Sequence, residues 1–159
     1  MVSTTIEDVE DFLDQKRIAF VGVSRDPKDF SRRLFGDLQQ QGYSVIPVNP
    51  QMADVEGSRC FARVQDVTPP VDAALIMTPA AKSEQVVRDC AEAGIARVWL
   101  HRGTGAGSVS SEAVGLCQEF GIRVVAGYCP YMFLPQTPFF HRFHGFLMKL
   151  TGAYPAPCH

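Results

Sequence analysis

Short apolar runs alternate with amphipathic stretches along most of this chain, and this alternation is the feature that most constrains its fold. The runs at 17–23, 71–77 and 122–126 are mostly apolar, which is typical of strands buried on both faces of a sheet. Shorter apolar runs occupy 44–48 and 97–100. Strands that alternate with helices form βαβ units, so the pattern predicts a parallel sheet with helices on both faces.

The stretches between the runs carry helix signals. The segment Thr4–Glu7 offers a capping box, and apolar residues follow it at helical spacing, which predicts a short helix over about residues 5–15. A second amphipathic helix is predicted to begin near Phe30. Helical spacing of apolar residues predicts two more helices, around residues 83–91 and 113–120. Gly42, Gly94 and Gly121 stand where the last three of these helices are predicted to end. Residues 51–70 are punctuated by Gly and Pro, and we expect a turn and one short helix there.

These elements predict a single α/β domain over residues 1–159. Its fold is a Rossmann-like doubly wound parallel sheet of about five strands in the order 3-2-1-4-5, with an N-terminal helix and a C-terminal helical extension. The core covers about residues 15–130 and the helical tail about residues 131–159. In such sheets ligands bind beyond the carboxyl ends of the strands, where the strand order reverses. We place that point at the loop after the first strand.

Composition and charge exclude several classes of protein. The 15 Lys and Arg residues are balanced by 17 Asp and Glu residues, so no basic excess is available for a nucleic-acid partner. No apolar run approaches the ~20 residues that span a bilayer, and the acidic N-terminus does not resemble a signal peptide. We therefore expect a cytoplasmic protein without a membrane partner. The five cysteines include no CxxC pair, and Cys90 and Cys117 are predicted to lie in the core.

Residues 22–31, the glycine loop, are the most informative segment. Gly22 allows a sharp turn, and the hydroxyls of Ser24 and Ser31 can donate hydrogen bonds. The helix that begins near Phe30 directs unpaired N–H groups at the loop, which favours an anion. Four cations lie within nine residues, namely Arg25, Lys28, Arg32 and Arg33. The pattern favours a ligand with several phosphates over a loop whose cations are merely solvated.

The glycine loop differs from the common nucleotide motifs. Ser24 replaces the second glycine of GxGxxG, and no GxxxxGK[ST] motif occurs. Asn49 stands at the end of the second strand, where NAD-binding proteins carry an acidic residue for the ribose. The residues therefore argue against NAD, while phosphate binding stays open.

Four segments carry a resemblance to a known family. In chain order they are IAFVGVSRDPKDFS, GYSVIPVNP, PPVDAALIMTP and GIRVVAGYCP. Together they resemble the CoA-binding-domain proteins, small stand-alone Rossmann-like proteins related to the nucleotide-binding domain of the succinyl-CoA synthetase α subunit. The resemblance covers about residues 15–130.

The resemblance implies that the chain binds coenzyme A through its ADP portion. The residues implied at the diphosphate are Gly22, Val23, Ser24, Arg25 and Ser31. Those implied at the adenine and ribose are Val48, Asn49 and Pro50, and those along the pantetheine arm are Met77, Thr78 and Pro79. The 3′-phosphate of CoA would account for a cation at Lys28 or Arg32.

Ligase activity is not implied, because succinyl-CoA synthetase uses a second domain with a phosphorylated histidine and a partner subunit. We expect binding of CoA or an acyl-CoA without catalysis. The alternative is an enzyme that uses NAD(P) or acts on an acyl-CoA. His101, which opens the Gly-rich segment 101–108, is the candidate acid or base, and Cys129 is the candidate nucleophile. A turn and a structural cysteine are the favoured interpretations of these two residues. A third alternative is a redox-linked transcriptional partner, but the sequence shows no DNA-reading helix pair and no basic stripe to support it.

The tail carries an aromatic face on a predicted helix over about residues 139–150. Such a face packs over the sheet edge or against a second subunit, and the second alternative predicts a homodimer. His141 and His144 have the spacing of a metal pair, but two histidines alone make a weak site and we expect no metal.

Overall fold

The computed structural model describes residues 3–102 and 107–134. Its elements follow in the order α1 (Ile6–Leu13), β1 (Arg17–Val21), α2 (Phe30–Gln40), β2 (Ser44–Val48), β3 (Asp54–Val55), β4 (Ser58–Arg59), β5 (Ala73–Ile76), α3 (Ala80–Glu92), β6 (Arg97–Leu100), α4 (Ser111–Glu119) and β7 (Arg123–Ala126). Single turns of 3₁₀ helix occur at Val64–Asp66 and Pro130–Met132. The predicted α/β class, with an N-terminal helix and a parallel sheet between helices, is confirmed.

The main sheet contains five parallel strands in the order β2-β1-β5-β6-β7. The predicted third strand, 71–77, corresponds to β5, so the predicted order 3-2-1-4-5 is wrong. β5 pairs with β1 on the side opposite β2, with Ile18 beside Ala73. The second strand is therefore at the edge of the sheet, and the third is inside it.

Pro47 explains why β2 lies at the edge. Proline has no backbone N–H and is confined to edge strands. The Pro47 carbonyl accepts a hydrogen bond from the Phe61 N–H at 3.0 Å, so this residue directs its backbone polar groups away from β1. In the predicted order a further strand would have paired with this side of β2 and met a residue that cannot donate.

Hydrophobic side chains fill both faces of the sheet. On one face, α1 and α2 cover Phe20 and Trp99, and the Phe12 and Trp99 rings meet edge to face at 5.3 Å. On the other face, α3 and α4 cover a second core that includes Ala19 and Leu100. The predicted strands buried on both faces are confirmed.

Helix α1 and the residues before it are anchored to the last two strands, β6 and β7. Its capping box joins Thr5 and Asp8 and is one residue beyond the predicted Thr4–Glu7 box, because the Thr4 hydroxyl instead accepts from the Ala126 N–H at 2.9 Å. Arg97 pairs with Asp11 at 2.6 Å, and Arg123 pairs with Asp8 at 2.6 Å. These contacts hold α1 against one face of the sheet, with Thr4 at the carboxyl end of β7 and the two ion pairs at the amino ends of β6 and β7.

Residues 51–70 form more structure than the sequence predicts. β3 and β4 make a short antiparallel hairpin, which turns through Glu56 and Gly57 at φ values of 50° and 84°. Strands of two residues show too little alternation to be recognised in a sequence. After the hairpin, Phe61 forms a parallel bridge with Val48, and the predicted short helix is the 3₁₀ turn Val64–Asp66.

Several predictions concern residues outside the described ranges. They are the aromatic tail helix, the possible metal pair of His141 and His144, and the centre of the Gly-rich segment at 103–106. Within residues 3–102 and 107–134, no helix combines the length and the hydropathy needed to cross a membrane.

Candidate functional site

A cleft of about 510 Å³ lies beyond the carboxyl ends of β1, β2 and β5. This volume is within the range of roughly 300–1,000 Å³ that small-molecule sites occupy. β2 pairs with one side of β1 and β5 pairs with the other side. The connections that follow β1 therefore lead to opposite halves of the sheet, and the strand order reverses at this point. The cleft therefore occupies the position where doubly wound sheets bind their ligands.

The structure brings the predicted residues from three strand ends together. Those that line the cleft are Gly22, Val48, Asn49, Pro50, Met77, Thr78 and Pro79. The remaining predicted residues do not line it, namely Val23, Ser24, Arg25, Lys28, Ser31 and Arg32. The Val23 side chain is fully buried in the core, and the others belong to the glycine loop and the first turn of α2, which continue from Gly22.

Gly22 allows the ends of β1 and β5 to approach closely. A Cβ atom on Gly22 would lie 2.8 Å from the Thr78 nitrogen and 3.0 Å from the Met77 carbonyl carbon. The residue also has a φ of +95°, which side chains disfavour. Its N–H donates to the Val48 carbonyl at 3.1 Å, and the Met77 N–H donates to the Val21 carbonyl at 2.8 Å. These bonds join the three strand ends into the floor of the cleft.

Asn49 connects the end of β2 to the glycine loop. Its Nδ2 donates to the Val23 carbonyl at 2.8 Å, and its Oδ1 accepts from the Gln51 N–H at 2.8 Å. The Asn49 N–H donates to the Phe61 carbonyl at 2.9 Å. A carboxylate at this position would place a negative oxygen against the Val23 carbonyl, so an amide fits both neighbours.

Hydrogen bonds within the glycine loop already engage part of the predicted anion site. The Ser31 hydroxyl accepts from the Ser24 N–H at 2.9 Å and donates to Asp29 at 2.7 Å. Asp29 is the N-cap of α2 and also accepts from the Ser31 N–H at 2.8 Å. A carboxylate therefore stands at the start of α2. The preference for Asp just before a helix could have identified this cap from the sequence.

The loop cations have different environments. Arg32 donates to the carbonyls of Ser24 and Arg25 at 3.3 and 3.4 Å and pairs with Glu56 at 3.3 Å. Its side chain is only 10% exposed, so it holds the loop against the β3–β4 turn. Arg25, Lys28 and Arg33 are exposed.

Sequence reasoning missed a group of polar residues that also line the cleft, namely Gln51, Arg63, Lys82, Gln85 and Asp89. Arg63 belongs to the segment that follows the Phe61 bridge, and Lys82 lies in the first turn of α3. A lysine in the first turn of a helix opposes the helix dipole. Its position three residues after Pro79, at the end of a predicted strand, was a signal available in the sequence.

The residues of the cleft fit a ligand that carries phosphates. Arg63 and Lys82 supply positive charge. The Thr78 Oγ1 is buried and has no hydrogen-bond partner within the described residues, and leaving such a group unpaired costs about 1–3 kcal/mol. Close to it, Gly22 keeps the backbone free of a Cβ.

The two candidate catalytic residues do not line this cleft. His101 is 8% exposed, and its ring lies 5.7 Å from the ring of Phe30. Cys129 is 3% exposed and packs in the core around Trp99. Burial raises the pKa of the Cys129 thiol to about 11, so this residue carries a neutral thiol near neutral pH. Cys90 and Cys117 are fully buried, as predicted.

Comparison with known proteins identifies relatives that share this region. The family model described as a CoA binding domain matches residues 16–135. Subunit alpha of the ADP-forming acetate–CoA ligase II of Pyrococcus furiosus is 28% identical over 125 residues, which are 74% of this chain and 27% of that protein. The chain thus spans about a quarter of that ligase subunit. The uncharacterized protein YneT of Bacillus subtilis is 27% identical over 114 residues, which are 72% of this chain and 82% of that protein.

Solved structures show the same fold. A hypothetical protein from Pyrococcus horikoshii OT3 superposes with a TM-score of 0.73 at 28% identity, covering 79% of this chain and 87% of that chain. A conserved hypothetical protein from Pyrococcus furiosus superposes with a TM-score of 0.65 at 29% identity, covering 72% and 95% of the two chains. The resemblance seen in the four sequence segments is confirmed, and the chain belongs to the CoA binding domain family.

Proposed function

We propose that the cleft binds coenzyme A or an acyl-CoA through the ADP moiety, and that the chain acts by binding rather than by catalysis. The observation that carries this proposal is a nucleotide-sized cleft at the reversal of strand order, in a chain of the CoA binding domain family. The proposal is supported by the Thr78 hydroxyl, which has no partner within the described residues, and by the cations Arg63 and Lys82 in the lining.

The proposed placement follows the three strand ends. The adenine and ribose lie beside Val48, Asn49 and Pro50, and the pantetheine arm passes Met77, Thr78 and Pro79. The diphosphate lies at the start of the glycine loop, residues 22–25. In this arrangement a phosphate oxygen replaces the Ser31 hydroxyl at the Ser24 N–H, and the hydroxyl becomes available as a donor to the ligand.

Two observations support binding over catalysis. His101 and Cys129 lie outside the lining of the cleft, and the raised pKa of the Cys129 thiol disfavours the thiolate that a nucleophile needs. The NAD alternative is opposed by Asn49, which stands where a carboxylate would bind the ribose. The cytoplasmic location and the homodimer stay predictions from the sequence.

Calorimetry on the full chain with CoA, NAD, NADP and ATP tests the proposed ligand. We expect CoA to bind at least about tenfold more tightly than the other three, which corresponds to about 1.4 kcal/mol. Absent binding of CoA, or equal binding of all four, would refute the proposal. Hydrolysis of an acyl-CoA that is lost in both His101→Ala and Cys129→Ser would refute the binding-only role.

A further inference from the structure

Two cations in the cleft have no ionic partner within the described residues. Neither Arg63 nor Lys82 takes part in any salt bridge of residues 3–102 and 107–134. The Arg63 Nε makes one long contact with Gln65 Oε1, at 3.5 Å. Asp89, a carboxylate in the same lining, accepts from Gln85 Nε2 at 3.1 Å. The charged residues of the lining are thus Arg63, Lys82 and Asp89, which leaves one positive charge in excess, and neither cation is held in an ion pair by the described residues.

The start of α3 adds to this positive field. Its N-cap is Pro79, without a side-chain cap, and its first turn contains no acidic residue. The start of α2 differs, because the Asp29 carboxylate caps it. An anion bound beside α3 would therefore face uncapped N–H groups and Lys82.

Arg63 lies at the part of the cleft where the proposed function places the ribose, beside Val48, Asn49 and Pro50. Phe61 pairs with Val48, and the Phe61 carbonyl accepts from the Asn49 N–H. Arg63 follows two residues later and lines the cleft together with the end of β2. A phosphate carried on a ribose beside Asn49 and Pro50 would thus lie next to Arg63.

We propose that Arg63 and Lys82 bind the 3′-phosphate of the CoA ribose and so select CoA over dephospho-CoA. This inference rests on the proposed function. A phosphate monoester carries about −1.5 to −2 charges at neutral pH, which two cations and a helix start can balance. It replaces the sequence-based assignment of that phosphate to Lys28 or Arg32, since Lys28 does not line the cleft and Arg32 is bound to loop carbonyls and Glu56.

The test compares CoA with dephospho-CoA by calorimetry on the wild-type chain, Arg63→Gln and Lys82→Gln. We expect each substitution to weaken CoA binding about tenfold, as for a lost charge-assisted hydrogen bond, and to weaken dephospho-CoA binding by a smaller factor, so that the preference for CoA falls. Arg88→Gln is the matched control, because Arg88 lies on α3 outside the cleft lining and pairs with Glu84. It should keep the full preference for CoA.

The outcomes separate the two proposals. If the wild-type chain binds CoA but both variants keep its full preference over dephospho-CoA, the inference is wrong and the proposed function stands. A preference that disappears in Lys28→Gln instead would also overturn it. If the wild-type chain does not bind CoA, the proposed function and this inference are both wrong.

Discussion

Gly22 is the residue on which the geometry of the cleft depends most directly. The β1 turn passes so close to Thr78 that no Cβ fits between them. We expect Gly22→Ala to lower the free energy of unfolding by about 1–3 kcal/mol, because it adds a steric contact to a backbone with φ at +95°. Urea denaturation measures the loss, and CoA calorimetry should show weaker binding.

Gly115 provides the control for that substitution. It lies within α4, and a Cβ atom added there would meet nothing outside its own helix within 4 Å. Gly115→Ala should raise the free energy of unfolding by roughly 0.5–1 kcal/mol, because alanine restricts the unfolded chain more than glycine does. Equal effects of the two substitutions would show that the close approach at Gly22 is unimportant.

At the residue scale, the sequence identified the glycine turn and Asn49 but missed how charges pair. The pattern shows that Arg32 is basic, but its partner Glu56 lies 24 residues away, at the turn of a hairpin too short to predict. Arg63 enters the site only because a distant segment packs against the end of β2. Charge is visible along a chain, whereas its compensation depends on tertiary structure.

At the scale of elements, strand bounds were easier to predict than strand order. The strands 44–48 and 97–100 have the predicted bounds, because each is a compact apolar run next to a turn signal. The order depends on which neighbour each strand accepts. The relevant signal was Pro47, which can lie at an edge but not between two strands.

Asp8 both caps helix α1 and pairs it with Arg123 of β7, so its substitution tests how this helix is attached to the sheet. Asp8 is partly buried, which alone raises its pKa, but the Thr5 N–H and Arg123 together hold the pKa below its ordinary value. We expect Asp8→Asn to cost about 1 kcal/mol of unfolding free energy at neutral pH, through the weakened cap and ion pair. Because the folded-state pKa is lowered, this contribution is present above the ordinary pKa and is lost as the pH falls through the folded-state value.

Urea denaturation of both proteins at neutral pH and in acid measures this dependence. Asp72→Asn is the control, since Asp72 is exposed and its side chain makes no hydrogen bond within the described residues. A difference between wild type and Asp8→Asn that stays constant into acid would contradict the assigned role of the carboxylate.

At the scale of the whole molecule, two cores share one sheet, and each contains buried thiols. Cys60 and Cys129 belong to the core under α1 and α2, while Cys90 and Cys117 belong to the core under α3 and α4. Burial raises the pKa of Cys117 to about 12 and that of Cys129 to about 11. These thiols are therefore both shielded and protonated near neutral pH.

We expect the native thiols to react with an alkylating reagent only when the protein unfolds. In a Cys158→Ser variant, which leaves the four thiols named above, mass spectrometry should show Cys90 and Cys129 labelled over the same range of urea concentration, as in a two-state transition. Labelling of one core at lower urea than the other would mean that the two faces unfold separately.

The backbone groups at the outer edges of β2 and β7 affect whether copies of the chain can associate by strand pairing at high concentration. On the β2 side, Pro47 offers no donor and Phe61 already occupies its carbonyl. On the β7 side, the Thr4 hydroxyl occupies the Ala126 N–H. Backbone groups that are already satisfied cannot template an incoming strand, so fibril-like growth by lateral strand addition is disfavoured at both margins.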